Sequence, residues 1–108
     1  MPRTERLLQL LDKSPRDDFL LYGLAIEHAK SGEHETALQY FDRAIEANRD
    51  NPYHYYHKAK SLEALERIDE ALGTLRAGAA VAQEADDAKA VGEIRGYIDM
   101  IRINWPGQ

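Results

Sequence analysis

Gly32-Glu33-His34-Glu35-Thr36-Ala37-Leu38-Gln39-Tyr40-Phe41-Asp42-Arg43-Ala44-Ile45 is the stretch from which the fold of this 108-residue chain is read. Ser31-Gly32 stops a helix, because glycine enters the left-handed backbone region without a Cβ clash. A new helical pattern follows, with Ala37, Phe41, Ala44 and Ile45 on one stripe. The alanines matter as much as the phenylalanine. A small residue on a buried stripe lets a neighbouring backbone come close, and a bulky one fills the gap beside it.

Moving the register by 34 residues reproduces the pattern: Ala37 becomes Ala71, Leu38 becomes Leu72, Phe41 becomes Leu75 and Ala44 becomes Gly78. Upstream, Tyr22 becomes Tyr56 and Ala25 becomes Ala59. Small residues fall on small ones and large apolar residues on large ones. A fixed period of this length marks a repeat array, in which one helical hairpin cannot bury its face alone.

The rest of the composition agrees. Apolar residues make up 44% and charged residues 31%, the balance of a globular chain long enough for one modest core. Alternating Val/Ile/Thr strand patterns are absent, so the chain reads as all-α. The net charge of −5 and the lack of a basic run argue against a nucleic-acid partner. The absence of cysteine excludes disulfides, thiolate metal sites and a cysteine nucleophile. Leu7-Leu8-Gln9-Leu10-Leu11 is too short and interrupted for a signal peptide, and nothing approaches a membrane span. The expectation is a cytoplasmic protein with no membrane association.

In order along the chain, residues 3–13 read as a short amphipathic helix that Ser14-Pro15 breaks. Asp17 or Asp18 caps a second helix running to Lys30. The third runs from His34 to Ala47. Asn51 caps the fourth, with Pro52 at its first position, and that helix ends near Leu65. Glu66-Arg67 forms a tight turn without glycine. The fifth helix runs from Ile68 to about Gln83, and Asp86 or Asp87 starts the sixth. Its apolar stripe is Val91, Ile94, Ile98, Ile101 and Trp105; Tyr97, Met100 and Ile103 lie off it, as apolar surface either free for self-association or covered by a small core that wraps the helix on two sides. Short connections make consecutive helices antiparallel neighbours.

These residues resemble the tetratricopeptide repeat, a helix–turn–helix unit of 34 residues. Leu65-Glu66-Arg67-Ile68-Asp69-Glu70-Ala71-Leu72 and Ser31-Gly32-Glu33-His34-Glu35-Thr36-Ala37-Leu38 look like that family's turn into its second helix. Its small residues match Ala25, Ala59, Ala37, Ala71, Ala44 and Gly78, and its second-helix aromatic matches Phe41. The resemblance implies a right-handed superhelical stack of about six helices in antiparallel hairpins. One domain, 1–108, would comprise a half-repeat helix at 3–13, repeats at 18–51 and 52–85, and a capping helix at 86–103. Three positions depart from the pattern: Lys58 replaces a leucine, Glu66 a glycine and His28 an aromatic.

The same resemblance implies a protein–protein interaction module that binds a peptide or protein segment in a concave groove, without catalysis. The groove would be lined by Phe19, Tyr22, Ile26 and Lys30 from the first repeat and by Tyr53, Tyr56, His57 and Lys60 from the second. A peptide with an apolar anchor and a nearby acidic group would suit it. The alternative for these rings is packing against the N-terminal helix or the next repeat. The alternative function is a homo-oligomeric assembly protein that uses the groove or the last helix on itself. Some family members hold acidic chaperone tails in a lysine–asparagine clamp; the corresponding positions here are Tyr22, Ile26 and His57, so that clamp is absent.

Chemistry of other kinds finds little support. His54 and His57 share a helix face but lack a third ligand of matching geometry, and they read as ordinary imidazoles on an exposed face. His28 reads as a partly buried substitute in the core. The carboxylates at Asp17-Asp18, Asp69-Glu70 and Asp86-Asp87 fall at helix starts, where they offset the helix dipole. No nucleophile elbow, phosphate loop or zinc motif occurs, so neither an enzyme nor a cofactor or metal site is expected.

Overall fold

The computed structural model describes residues 2–107, and every regular element among them is a helix. They are α1 (Pro2–Lys13), α2 (Asp18–Lys30), α3 (His34–Ala47), α4 (Pro52–Ala64), α5 (Ile68–Glu84) and α6 (Ala88–Asn104). No helix of the described residues is long and apolar enough to cross a membrane.

The boundaries follow from local chemistry. The Asp17 carboxylate accepts from the amides of Phe19 and Leu20 at 2.9 and 3.2 Å, and Asn51 caps α4 by accepting from Tyr53 N. Asp87 caps α6 by accepting from Ala90 N at 3.0 Å. Three turns share one hydrogen-bond pattern. Gly32 N donates to Ala29 O and Glu33 N to His28 O; Glu66 N donates to Glu63 O and Arg67 N to Leu62 O; Asp86 N donates to Gln83 O and Asp87 N to Ala82 O. Each pairs a bond to the third residue back with a bond to the fifth residue back around a residue of positive φ, which satisfies the last carbonyls of the helix. The angles are +77° at Gly32, +59° at Glu66 and +54° at Asp86. Glutamate and aspartate thus occupy a conformation that glycine adopts freely, because the surrounding turn over-determines it.

Each helix packs on the next in sequence, forming a stack of antiparallel hairpins. In addition α2 approaches α4 and α4 approaches α6, whereas among the described residues the backbones of the odd-numbered helices do not come as close to one another. The even helices therefore form the tight inner wall and the odd ones splay outward, giving a slab of 42 × 30 × 18 Å. The crossings are made by small residues: Ala25, Ala37, Ala44, Ala59 and Ala71 are all fully buried. A Cβ built on Gly78 would lie 2.7 Å from the Cβ of Tyr55, so this position sets the closeness of α4 to α5. Leu21, Leu24, Phe41, Leu62, Leu75, Ile94 and Ile101 fill the space between.

Two side chains left open by the sequence take definite places. Lys58, at an expected leucine, runs its stem between helices and ends 2.7 Å from Asp42 Oδ1, a position a long amphipathic side chain can hold. Of the two readings of α6, Tyr97 follows the covered one: its ring packs on Tyr56 at 5.4 Å and its hydroxyl donates to Glu63 at 2.6 Å.

Candidate functional site

The inner wall carries a connected row of rings. Phe41 of α3 meets the edge of Tyr22 on α2 at 6.3 Å. Tyr22 then meets His57 of α4 at 5.5 Å, edge to face. His57 stacks on Tyr56 at 5.2 Å, and Tyr56 meets Tyr97 of α6 at 5.4 Å. Tyr53 joins from the preceding turn at 6.3 Å from Tyr56. Such offset and edge contacts each add roughly 0.5–1.5 kcal/mol beyond area burial, so the row is held rigidly. Tyr22 and Tyr56 share this wall, but His57 stands between them.

The row is fixed from beneath by a polar network. His54 is buried; its Nε2 lies 2.8 Å from Asp18 Oδ2, which also accepts from Asn48 Nδ2 at 3.2 Å. A carboxylate only accepts, so His54 Nε2 carries the proton. One carboxylate thereby ties the start of α2, the end of α3 and the first turn of α4 together, with Tyr22 packed 5.4 Å from the His54 ring. At the far end Glu63 accepts from both Tyr97 OH, at 2.6 Å, and Trp105 Nε1, at 2.9 Å. Burial, followed by the bond to Glu63, pushes the Tyr97 hydroxyl well above the usual tyrosine range. Burial also raises Tyr22.

The two histidines of α4 are therefore not on an exposed face. His54 is 1% exposed, and His57 is half-buried. Burial first, then Lys60, then His54, hold the His57 imidazole below its ordinary pKa. His28 is partly covered, stacking on Tyr40 at 5.5 Å with Nδ1 placed 2.9 Å from Glu33 Oε1. Among the described residues no group of three His, Cys, Asp or Glu side chains converges as a metal site would.

The eight residues expected in the groove divide as follows. Tyr22, Ile26, Tyr53, Tyr56 and His57 are half-buried on α2 and α4, whereas Phe19, Lys30 and Lys60 are exposed around them. Phe19 is 70% exposed, one turn before Tyr22. Lys60 lies over the Tyr56 ring with its ammonium 5.0 Å from the centroid, and Lys30 approaches Glu27 at 3.7 Å. The sequence reading missed Glu63 and Glu93, put His54 on an exposed face and did not join Tyr97 to this wall. A repeat shift from Tyr56 points to Ala90, not to Tyr97, because α6 starts outside the 34-residue register. Glu93 accepts from Tyr53 OH at 3.1 Å and belongs to the same helix.

Comparison with known proteins places this wall in a wider setting. Residues 1–78 match the family model described as anaphase-promoting complex, cyclosome, subunit 3. The solution structure of a tetratricopeptide repeat domain protein from Salinibacter ruber is 32% identical, with 87% of this chain and 94% of that one covered at a TM-score of 0.79. Photosystem I assembly protein Ycf3 of Rippkaea orientalis is 32% identical over 57% of this chain; the match spans 42% of that protein's length. At 17% identity, the crystal structure of PcrH in complex with the chaperone binding region of PopD shares the fold, with 94% of this chain and 77% of that one covered at a TM-score of 0.85.

Proposed function

This chain belongs to the tetratricopeptide-repeat family, and on that premise we propose that it is an interaction module holding a peptide or protein segment along the α2–α4–α6 wall, with no chemistry of its own. The observation that carries the reading is the row Tyr22–His57–Tyr56–Tyr97, which crosses three helices and stays half-open to solvent. Rigid rings offer much contact area at little entropic expense, so they suit a surface that must bind. Phe19 supplies an exposed apolar anchor at one end and Lys60 a cation near the other. PcrH, a neighbour in fold, was solved with a segment of another protein, which supports the same use of the architecture.

The test separates binding from folding. Tyr22→Ala would also remove packing on Phe41 and His54, so the cleaner groove variant is Phe19→Ala with Lys60→Glu, both exposed positions. A loss of about 2 kcal/mol, the scale of an interface hot spot, is expected for partners captured by the wild-type chain. The control set is Gln39→Ala, Arg43→Ala and Glu46→Ala on the opposite helix; Asp42 is left alone because it holds Lys58. Loss of partners in the control set with retention in the groove set would place the binding face on the other side.

A further inference from the structure

The hydrogen-bonding groups of this wall are unevenly used. Three of its carboxylates hold partners: Glu93 accepts from Tyr53, Glu63 from Tyr97 and Trp105, and Glu27 from Arg3. Not all of its donors do. Tyr53 and Tyr97 have carboxylate partners, but among the described residues the hydroxyls of Tyr22 and Tyr56 bond to no other side chain or backbone group. Lys60 forms no ion pair among the described residues and lies over the Tyr56 ring, exposed to solvent. Free donors on the wall are matched by a ligand that brings acceptors, and an ionised carboxylate brings the strongest of them.

His57 sits in the middle of these donors. Tyr22 faces it from α2, while Tyr56, His54 and Lys60 flank it on its own helix. Tyr97 of α6 stands behind Tyr56, and α3 contributes the uncharged Phe41 behind Tyr22. Asp18 is turned to His54, and among the described residues no carboxylate bonds to either ring nitrogen of His57. The imidazole is thus half-buried beside a cation without a counter-charge, and the neutral ring is the form this setting favours.

Building on the peptide-groove reading above, we propose that the groove seats a carboxylate of its partner between His57 and Lys60 and takes up one solvent proton on His57 as that carboxylate arrives. The incoming negative charge reverses the local balance, because an opposite charge within hydrogen-bonding distance favours imidazolium. The resulting contact is a charge-assisted hydrogen bond from His57 next to the Lys60 ammonium. The uptake makes affinity for acidic segments depend on pH. Binding strengthens as pH falls from the bound-state pKa of His57 to its lower free-state pKa, by up to about tenfold per pH unit, and is flat outside that window. His57 is therefore a specificity-determining residue, separating acidic segments from isosteric neutral ones.

The experiment follows the His57 ring by NMR across pH, its resonance assigned by its disappearance in His57→Gln. The probes are a pentapeptide of glutamates alternating with phenylalanine and leucine, and the same peptide with glutamines. In the free protein His57 is expected to titrate below 6.5, and Lys60→Gln should move it upward. The glutamate probe should raise the titration point and bind more tightly at the lower pH, while the glutamine probe should do neither. A free-protein titration at or above the ordinary value overturns the inference. So does binding of the glutamate probe with an unmoved His57 curve, an outcome that leaves the groove itself intact. Failure of both probes to shift any resonance of the wall, with the fold unchanged, counts against the peptide-binding reading and removes this inference with it.

Discussion

Glu66 carries a φ of +59° in a turn whose counterpart one repeat earlier is Gly32 at +77°. A side chain in this region crowds its own carbonyl, at about 1–2 kcal/mol for an ordinary residue. Glycine removes that crowding but adds freedom to the unfolded chain, so part of the gain is returned. Glu66→Gly is therefore expected to stabilise the protein by about 0.5–1 kcal/mol in urea or thermal unfolding. An unchanged or lower midpoint would show that the turn tolerates glutamate without strain. His57 makes a second prediction at this scale. Burial, Lys60 and His54 lower its folded-state pKa, so below its ordinary value the unfolded chain binds more protons than the folded one. Stability should fall as pH drops below 6.5 and level off once the folded-state pKa is passed. Comparing unfolding midpoints of wild type and His57→Gln across this window checks it; the variant should lose that part of the slope.

The α4–α5 pair shows how one residue sets an element's position. Gly78 has no room for a side chain, since a Cβ there would come within 2.7 Å of Tyr55 Cβ. Tyr55 is anchored in turn by its hydroxyl, which donates to Arg49 O at 3.1 Å. Alanine is the better helix former by about 1 kcal/mol, yet overpacking typically costs about 1–3 kcal/mol, so the crossing decides the sign. Gly78→Ala should lower the unfolding midpoint, and Ala37→Phe and Ala71→Phe should lower it further, because both alanines are fully buried. A raised midpoint for Gly78→Ala would mean that Tyr55 yields easily and that the crossing has room for a methyl group. This element-level packing was legible in sequence. Small residues recur at 25 and 59, 37 and 71, and 44 and 78 because helices of a stacked hairpin must approach at the same points in every repeat.

For the molecule as a whole, α6 covers the second repeat by packing on α5 and α4. Ile94, Ile98 and Ile101 pack into the cluster formed by Leu62, Leu72 and Leu75. Each such side chain contributes about 1.5–3 kcal/mol when kept from water, so a chain ending at residue 87 would expose more apolar surface than a small domain can tolerate. Removal of residues 88–108 should give aggregation by light scattering, or loss of cooperative unfolding. The outer side of α6 presents less. With Tyr97 turned into the wall, Met100 and Ile103 are its large exposed apolar residues, at 54% and 72%. Two side chains fall well short of the roughly 800 Å² per partner that a stable interface buries. No dimer through this face is expected across a concentration series; a concentration-dependent dimer lost in Ile103→Lys would place self-association on this helix.

The amino-acid sequence by itself determined the all-α class, the six helices, their caps and the period that stacks them. These features depend on near neighbours: an aspartate beside two amides, a glycine after a helix, an alanine every time two backbones meet. The tyrosines of α2 and α4 were also legible as wall residues, because equivalent positions in a repeat face the same way. The tertiary structure alone decided what lies between and behind them. It put His57 between Tyr22 and Tyr56, brought Tyr97 onto Tyr56 from a helix outside the register, and bound Asp18 to His54 across 36 positions of chain. It also assigned Glu63 to two donors on the last helix and just beyond it. No local pattern encodes such partnerships, because the residues are distant in sequence and their polar groups find each other only after apolar packing has set the helices side by side.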